Sequence, residues 1–399
     1  MYYNQSIVDE KVDIGYEPVR NFIWDINGKY SIQNIDFLTQ AADMLPLVET
    51  DDPSNFSIEG EFAEVLPNPN PLGEAYLDDF ESSKRTTTLG VMQRNWKLAA
   101  PPIGKDNDDR GHMAWFNPYY DVNTREIWPN LETSNRANNQ TTKILALQSF
   151  HNGSDEDTLW NGISTSLYSS EFDQSVSKYF DIWLNTDAYD HDSLKLHIDI
   201  GYVSEDVNQN GSLDTEDVPL TSSGSYGNRI LDDGEDTGLD GCMDARENGF
   251  GGCLAEGNTY SNPNGENINT SPDIDPSDPN GDNWCYISDG CSSESDYQYI
   301  NGTEGNGYMA GYTFPDTEDL DNDDSINQRE DYFTYTIRPN IDIPVSESEL
   351  NGEMTGWKLF RVLLSEFEKN GSEAVEWNSV EYVRVWYDGV PQEYYEGND

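Results

Sequence analysis

Apolar and polar residues alternate with a period of two in several separate stretches of this chain. Ile58, Gly60 and Phe62 alternate with Glu59 and Glu61, and Phe180, Ile182 and Leu184 alternate with Asp181 and Trp183. The longest case sets Leu194, Leu196, Ile198, Ile200 and Tyr202 on one face, with Lys195, His197 and Asp199 between them. Phe333, Tyr335 and Ile337 alternate with Thr334 and Thr336, and Val383 and Val385 lie in a last aromatic stretch. Successive strand side chains point to opposite faces, so each stretch predicts a half-buried strand. Such strands need one shared core, and we read a mainly β, jelly-roll-like antiparallel β-sandwich. Near the N-terminus the period differs. Ile35, Leu38, Ala42 and Leu45 recur at helical spacing and Pro46 ends the pattern, which predicts one short helix.

The pattern divides the chain into four parts. Residues 1–54 read as a lead-in with one short helix, residues 55–203 as the first part of the sandwich, and residues 332–399 as its last strands. Residues 204–331 break the alternation. They hold 30 acidic residues against three arginines, a net of −27, which is half the −54 of the whole chain. Large apolar residues are few there. A segment of this length with no core of its own is either disordered or held by something other than hydrophobic burial. It reads as an insertion into the sandwich.

Two stretches of that insertion match a twelve-residue calcium loop. Asp206, Asn208, Asn210, Gly211, Ser212, Leu213, Asp214 and Asp217 form D-x-N-x-N-G-x-L-D-x-x-D. Such a loop takes side-chain oxygens from positions 1, 3, 5 and 12, a backbone carbonyl from 7 and a water-linked group from 9, with glycine at 6 for the turn. Aspartate at position 12, where an EF-hand has glutamate, resembles the dockerin-type loop. The second match is Asp319, Asp321, Asp323, Ser325, Ile326, Asn327 and Glu330, with Asp324 in the glycine position and hence a more strained turn. Between them lie Asp232, Asp236, Asp240 and Asp244, spaced by four, and Asp273, Asp275, Asp278 and Asp282. These runs resemble thrombospondin type 3 calcium repeats. The competing reading is a solvated acidic loop. Ca2+ would offset the self-repulsion and order the chain, with the Kd of roughly 10⁻⁴–10⁻³ M typical of extracellular modules.

Charge and cysteine usage narrow the setting. With 76 Asp and Glu against 22 Lys and Arg, binding to nucleic acid or an anionic bilayer surface is opposed by Coulomb repulsion. Cys242, Cys253, Cys285 and Cys291 all lie in the acidic segment and read as two disulfides, hence an exported location. Proximity favours Cys242 with Cys253 and Cys285 with Cys291, although four cysteines allow three connectivities. Met1-Tyr2-Tyr3-Asn4-Gln5 lacks the basic start and apolar core of a signal peptide, so the chain is expected to be a fragment of a longer exported protein. No run of 18 apolar residues predicts a membrane-spanning helix, and no direct membrane span is expected within the fragment. Catalysis finds little support: His112, His151, His191 and His197 lack zinc-ligand spacing, and there is no G-x-S-x-G elbow.

One cluster is more specific. Ala75-Tyr76-Leu77-Asp78-Asp79-Phe80-Glu81-Ser82 precedes Trp96 and follows Ile58-Glu59-Gly60-Glu61-Phe62-Ala63. It resembles the Y-I-D-D-F-E segment of the SprA/Sov family, the outer-membrane translocon of the type IX secretion system, linked to gliding motility. Other segments are similar to that family in the same order. They are Lys11-Val12-Asp13-Ile14-Gly15-Tyr16-Glu17-Pro18 through Ile23-Trp24, and Phe37-Leu38-Thr39 through Met44-Leu45-Pro46. Further on come Leu196-His197-Ile198-Asp199-Ile200-Gly201 with Ser204-Glu205-Asp206, then Glu235 to Gly241, then Gly302 to Asn306. The resemblance implies a non-enzymatic piece of a large outer-membrane β-barrel, in its periplasmic or extracellular portion. It implies a plug protein, a PorV-type partner and exported cargo as partners. The cysteine-bearing segment is more elaborate than the family pattern, and most of the barrel lies outside this chain.

A second class of function stands beside this one. Asp78, Asp79 and Glu81 at a strand start also resemble the opening of carbohydrate-binding jelly rolls, where such carboxylates hold a structural calcium. The alternative is therefore a secreted calcium-dependent module that binds glycans or proteins, as an adhesin does. Its sugar platform would use Trp96, Trp115 or Trp160, each of which also fits a core position.

Overall fold

The computed structural model describes residues 2–5, 20–47, 52–68, 87–107, 109–129, 140–150, 159–168, 172–187, 191–218, 227–232, 234–270, 274–285 and 304–390. The chain forms two compact units, Met1–Lys84 and Arg85–Asp399.

In the first unit β1 (Tyr2–Gln5), β2 (Arg20–Ile32) and β3 (Phe56–Asn68) make an antiparallel sheet in the order β1-β2-β3. The expected helix is α1 (Asp36–Asp43), and none of its residues is buried. β2 and β3 pair without interruption from Arg20↔Asn68 to Ile32↔Phe56. Ile58, Gly60 and Phe62, read from sequence as the opening strand of the sandwich, thus belong to a hairpin with β2. The reason lies in β2 itself: Phe22, Trp24, Ile26, Tyr30 and Ile32 supply a matching period-two ladder nearby in sequence, so little loop-closure entropy is lost. One face of the hairpin carries Phe22, Trp24, Ile26, Tyr30 and Ile32 beside Leu66, Phe62, Ile58 and Phe56. Ile26, Tyr30, Ile58 and Phe62 are each more than half exposed. Asp25, Asn27, Lys29, Glu59 and Glu61 occupy the other face.

The second unit contains β4 (Lys97–Leu98), β5 (His112–Phe116), β6 (Val122–Asn123), α2 (Thr124–Ile127), β7 (Thr141–Thr142), β8 (Ala146–Phe150), β9 (Asn161–Ser166), β10 (Tyr179–Asn185) and β11 (Lys195–Tyr202). There follow β12 (Gly307–Met309), β13 (Tyr312–Phe314), β14 (Asp331–Ile337), β15 (Ser346–Leu350), β16 (Glu353–Leu363), β17 (Glu368–Asn370) and β18 (Tyr382–Asp388). A six-stranded antiparallel sheet runs β17-β14-β11-β18-β9-β4, and a three-stranded one runs β10-β16-β15. Ile163, Ile198, Ile200, Phe333, Val383 and Val385 of the larger sheet share one core with Phe360 and Val362 of the smaller. Phe180, Ile182 and Leu184 of β10 pack against it. The arrangement is sandwich-like and mainly β, and the alternation read at 180–184, 194–202, 333–337 and 383–385 points into this core.

The outer face of the larger sheet differs from expectation. Asp199 was expected on a solvated polar face, yet it is fully buried, as is Arg384 on the neighbouring strand. Arg384 Nε donates to Asp199 Oδ2 at 2.9 Å, and Trp386 Nε1 donates to the same oxygen at 2.9 Å. Thr334 Oγ1 donates to Asp199 Oδ1 at 2.6 Å. The guanidinium also reaches Glu330, at 2.9 and 3.1 Å. Glu330 lies in the acidic segment, so that segment is anchored to the outer face and helps to exclude water from it.

Candidate metal centre

The two sequence-matched loops have the same backbone shape. Positions 4 and 6 are left-handed in both: Gln209 (φ 61°) and Gly211 (φ 78°) in the first, Asn322 (φ 62°) and Asp324 (φ 62°) in the second. Asp324 therefore carries the strain its glycine-position residue type implied; Asn and Asp tolerate this region better than other side chains. The internal hydrogen bonds also correspond. The position-6 N–H donates to the position-1 carboxylate, Gly211 to Asp206 at 2.9 Å and Asp324 to Asp319 at 2.9 Å. The position-7 N–H donates to the position-5 side chain, Ser212 to Asn210 at 2.6 Å and Ser325 to Asp323 at 2.8 Å. In the first loop the amides of Asn208 and Asn210 both turn onto Asp214 Oδ2, so positions 3, 5 and 9 meet at one point. Asp206 Oδ1 is buried and has no hydrogen-bond partner among the described residues. In the second, Tyr382 Oη of β18 holds Asp321 Oδ2 at 2.8 Å.

The loops are clamped to each other by exchanged glutamates. Glu205 directly precedes the first loop, but its carboxylate accepts from the second: Leu320 N at 2.8 Å and Asn327 N at 2.9 Å. Glu318 directly precedes the second loop, and its carboxylate accepts from the first: Val207 N at 2.7 Å and Asp214 N at 3.0 Å. The donors are positions 2 and 9 in both cases. Two backbone bonds complete the exchange, Glu205 N to Asn327 O at 2.8 Å and Glu318 N to Asp214 O at 3.0 Å. The result is a pseudo-two-fold pair. Sequence reasoning gave neither glutamate this role, and Glu205 entered only within a segment of the family resemblance; the signal was the repeated Glu-Asp step at each loop entrance.

The carboxylates at the twelfth positions are engaged by partners remote in sequence. Asp217 accepts from the N–H groups of Gly227 and Arg229 at 3.0 and 2.7 Å. Glu330 accepts from Ser204 N at 2.7 Å as well as from Arg384. Backbone donors and a buried guanidinium hold these two carboxylates, so they act as anchors. A carboxylate oxygen of each of Glu205, Asp319 and Asp321 lies within 4.8 Å of the others.

The electrostatics call for positive charge. Burial pushes Glu205 and Glu318 up to about 7, and nearby aspartates add to this while backbone N–H groups oppose it. Burial likewise raises Glu216 and Glu247 to about 7 and Asp236 to about 6, with neighbouring carboxylates adding to the rise. Among the described residues no Lys or Arg makes an ion pair with Glu205, Glu216, Asp236, Glu247 or Asp319. Carboxylates crowded away from water need either protons or a bound cation, and oxygen-only donor sets suit calcium.

The remaining aspartates do not form one site. Asp232 accepts from Asn228, and Asp275 accepts from Ser277 in an exposed turn. Asp236 joins Glu216 and Glu304, whereas Asp278 joins Glu247 and Asp282. Asp240 caps Cys242 N at 2.7 Å, and Asp244 opens a short 3-10 turn. Cys242 and Cys253 are joined, 11 residues apart with Cα atoms 5.5 Å apart, which removes their sulfurs as ligands beside Asp240. Closing so short a loop contributes about 3 kcal/mol in the chain-entropy description. Cys285 is disulfide-bonded too, while Cys291 lies outside the described residues, as do Asp78, Asp79, Glu81 and Asp273. Trp96, Trp115 and Trp160 are all buried in the core, so none offers an exposed sugar platform. No known protein family pattern matches this chain, and neither does any curated protein.

Proposed function

We propose that this chain is a structural, non-catalytic segment of an outer-membrane protein-export translocon of the type IX, SprA/Sov-like kind. In this reading the first unit contributes barrel strands and the second is a jelly-roll-like module stiffened by Ca2+. The observation that carries it is the β2–β3 hairpin. On one face Phe22, Trp24, Ile26, Tyr30 and Ile32 run beside Leu66, Phe62, Ile58 and Phe56, interrupted by Glu64, which accepts from Trp24 Nε1 at 2.9 Å, and by the Gly28–Gly60 pair. A membrane strand needs ~9–11 residues, apolar toward lipid and polar toward the lumen. In water such an exposed apolar face invites aggregation, whereas lipid is a solvent for it. In this reading β2 and β3 supply a span, although none is expected from the sequence of the fragment. No helix among the described residues is long and apolar enough to cross a membrane.

The segments that carry the family resemblance support this reading. Leu196–Gly201 falls in β11, and Ser204-Glu205-Asp206 leads into the first loop. Asp236 and Glu304, from two further segments, share one acidic cluster. The mechanism is geometric: a rigid acidic module lines or caps the barrel, and cargo passes as the plug and the PorV-type partner exchange. The test is an immunoblot of fractionated source cells with antibody against the second unit. A polypeptide much longer than 399 residues, retained in washed outer membranes, is expected. A soluble secreted product of this size would overturn the proposal and favour the calcium-dependent binding module.

A further inference from the structure

Glu304 and Asn306 reach the acidic segment just ahead of β12, far along the chain from Glu216 and Asp236. One carboxylate oxygen from each of Glu216, Asp236 and Glu304 lies within 4.8 Å of the others. Glu304 is 4% exposed and Asn306 0%. Among the described residues neither Oε1 nor Oε2 of Glu304 has a hydrogen-bond partner, and neither does Oδ1 of Asn306. Asn306 is nevertheless fixed at the cluster, since its Nδ2 donates to Glu216 Oε2 at 2.6 Å. Three enclosed acceptor atoms without donors, two of them Glu304's own oxygens, thus belong to residues of one acidic cluster. The neighbouring cation, Lys97, is committed elsewhere, to Gly305 O at 2.6 Å and Asp316 Oδ1 at 3.0 Å. Burying like charges with neither a counter-charge nor donors is strongly unfavourable.

The partners already present sort the roles. Glu216 accepts four N–H donors, from Thr237, Gly238, Asp316 and Asn306, which fills its lone pairs. It supplies negative field. Among the described residues Asp236 accepts only the N–H of Trp284, shared between both oxygens at 3.2 Å. Glu304 and Asn306 Oδ1 are open. The backbone on either side of Gly305 is clamped by Gln93 Nε2, which donates to Glu304 O at 2.9 Å and Asn306 O at 3.1 Å. This clamp pre-orders Glu304 and Asn306.

We propose that Glu304, Asp236 and Asn306, backed by Glu216, form a divalent-cation site separate from the two loops and selective for calcium over magnesium. The donors are all oxygen, which excludes the nitrogen and sulfur preference of zinc. Calcium accepts six to eight oxygens in flexible geometry and sheds water readily. Magnesium demands a near-ideal octahedron, which donors brought together from separate chain segments are not built to meet. The ion would tie together chain segments near residues 236 and 304 that have few apolar contacts of their own.

The test uses the full chain. Calcium retained after gel filtration into chelator-treated buffer is counted by atomic emission for the wild type, Glu304→Gln, and the loop variant Asn208→Ala with Asn210→Ala. Glu304→Gln is expected to lose one ion per chain, while the loop variant keeps that ion. An unchanged ion count in Glu304→Gln, or equal displacement of the ion by magnesium, overturns the proposal. Should the variant not fold, calcium anomalous scattering from wild-type crystals decides: a peak among Glu304, Asp236 and Asn306 supports the site, and no peak there overturns it. Loss of that ion in the loop variant would also overturn the proposal, since the site would then depend on the loops.

Discussion

Replacing Glu205 by alanine is expected to loosen the loop at 319–330, not the loop at 206–217 that it adjoins in sequence. Its carboxylate serves Leu320 N and Asn327 N. Both donors would be left without an acceptor, and a hydrogen bond to a charged group is worth about 1.5–3 kcal/mol. The expected loss is therefore about 3–5 kcal/mol, confined at first to the second loop. Glu318→Ala gives the mirror result, because its acceptors serve Val207 N and Asp214 N. Amide hydrogen exchange reads this directly. Faster exchange at Leu320 and Asn327 in the first variant, and at Val207 and Asp214 in the second, is the expected crosswise pattern. Equal loosening of both loops in both variants would mean that the exchange of glutamates has no energetic weight.

Arg384→Ala is expected to destabilise the second unit by about 3–5 kcal/mol, the usual cost of stripping a buried charge of its partner. Asp199 is fully buried and would keep only Trp386 and Thr334 as donors. Glu330 would lose both guanidinium contacts while still holding Ser204 N. Urea denaturation at fixed calcium measures the loss. Adding Asp199→Asn should restore part of it, since the stranded charge is then gone. A loss under about 1 kcal/mol in the single variant would show that this network does not join the acidic segment to the sheet.

The strands of the core were readable because their apolar residues obey one period. Leu196, Ile198 and Ile200 face the core as alternation requires, and the partners Tyr335, Phe333, Val385 and Val383 lie opposite them in register. The burial of Asp199 and Arg384 was not readable. Alternation tells that two faces differ, not that a distant segment covers the polar one. The strand at 58–62 was recognised but assigned to the wrong partner, since period two carries no information about pairing. In the acidic segment the ligand spacing marked two stretches that share one backbone shape and anticipated the strain at Asp324. It did not show that the carboxylates of Asp217 and Glu330 are also held by partners remote in sequence. It also passed over Glu205, Glu318 and Glu304, because a glutamate outside the twelve-residue frame has no motif to mark it. Their common sign, a buried acid facing backbone N–H groups or none at all, exists only in three dimensions.

Calcium titration of the purified chain, followed by calorimetry with hydrogen exchange alongside, tests most directly whether cations hold residues 204–331 together. Two or more saturable sites are predicted, with protection in chelator lost across 204–331 and kept in β9, β11 and β18, whose apolar core is independent of metal. No binding at millimolar calcium, or protection unchanged by chelator throughout the acidic segment, would contradict it.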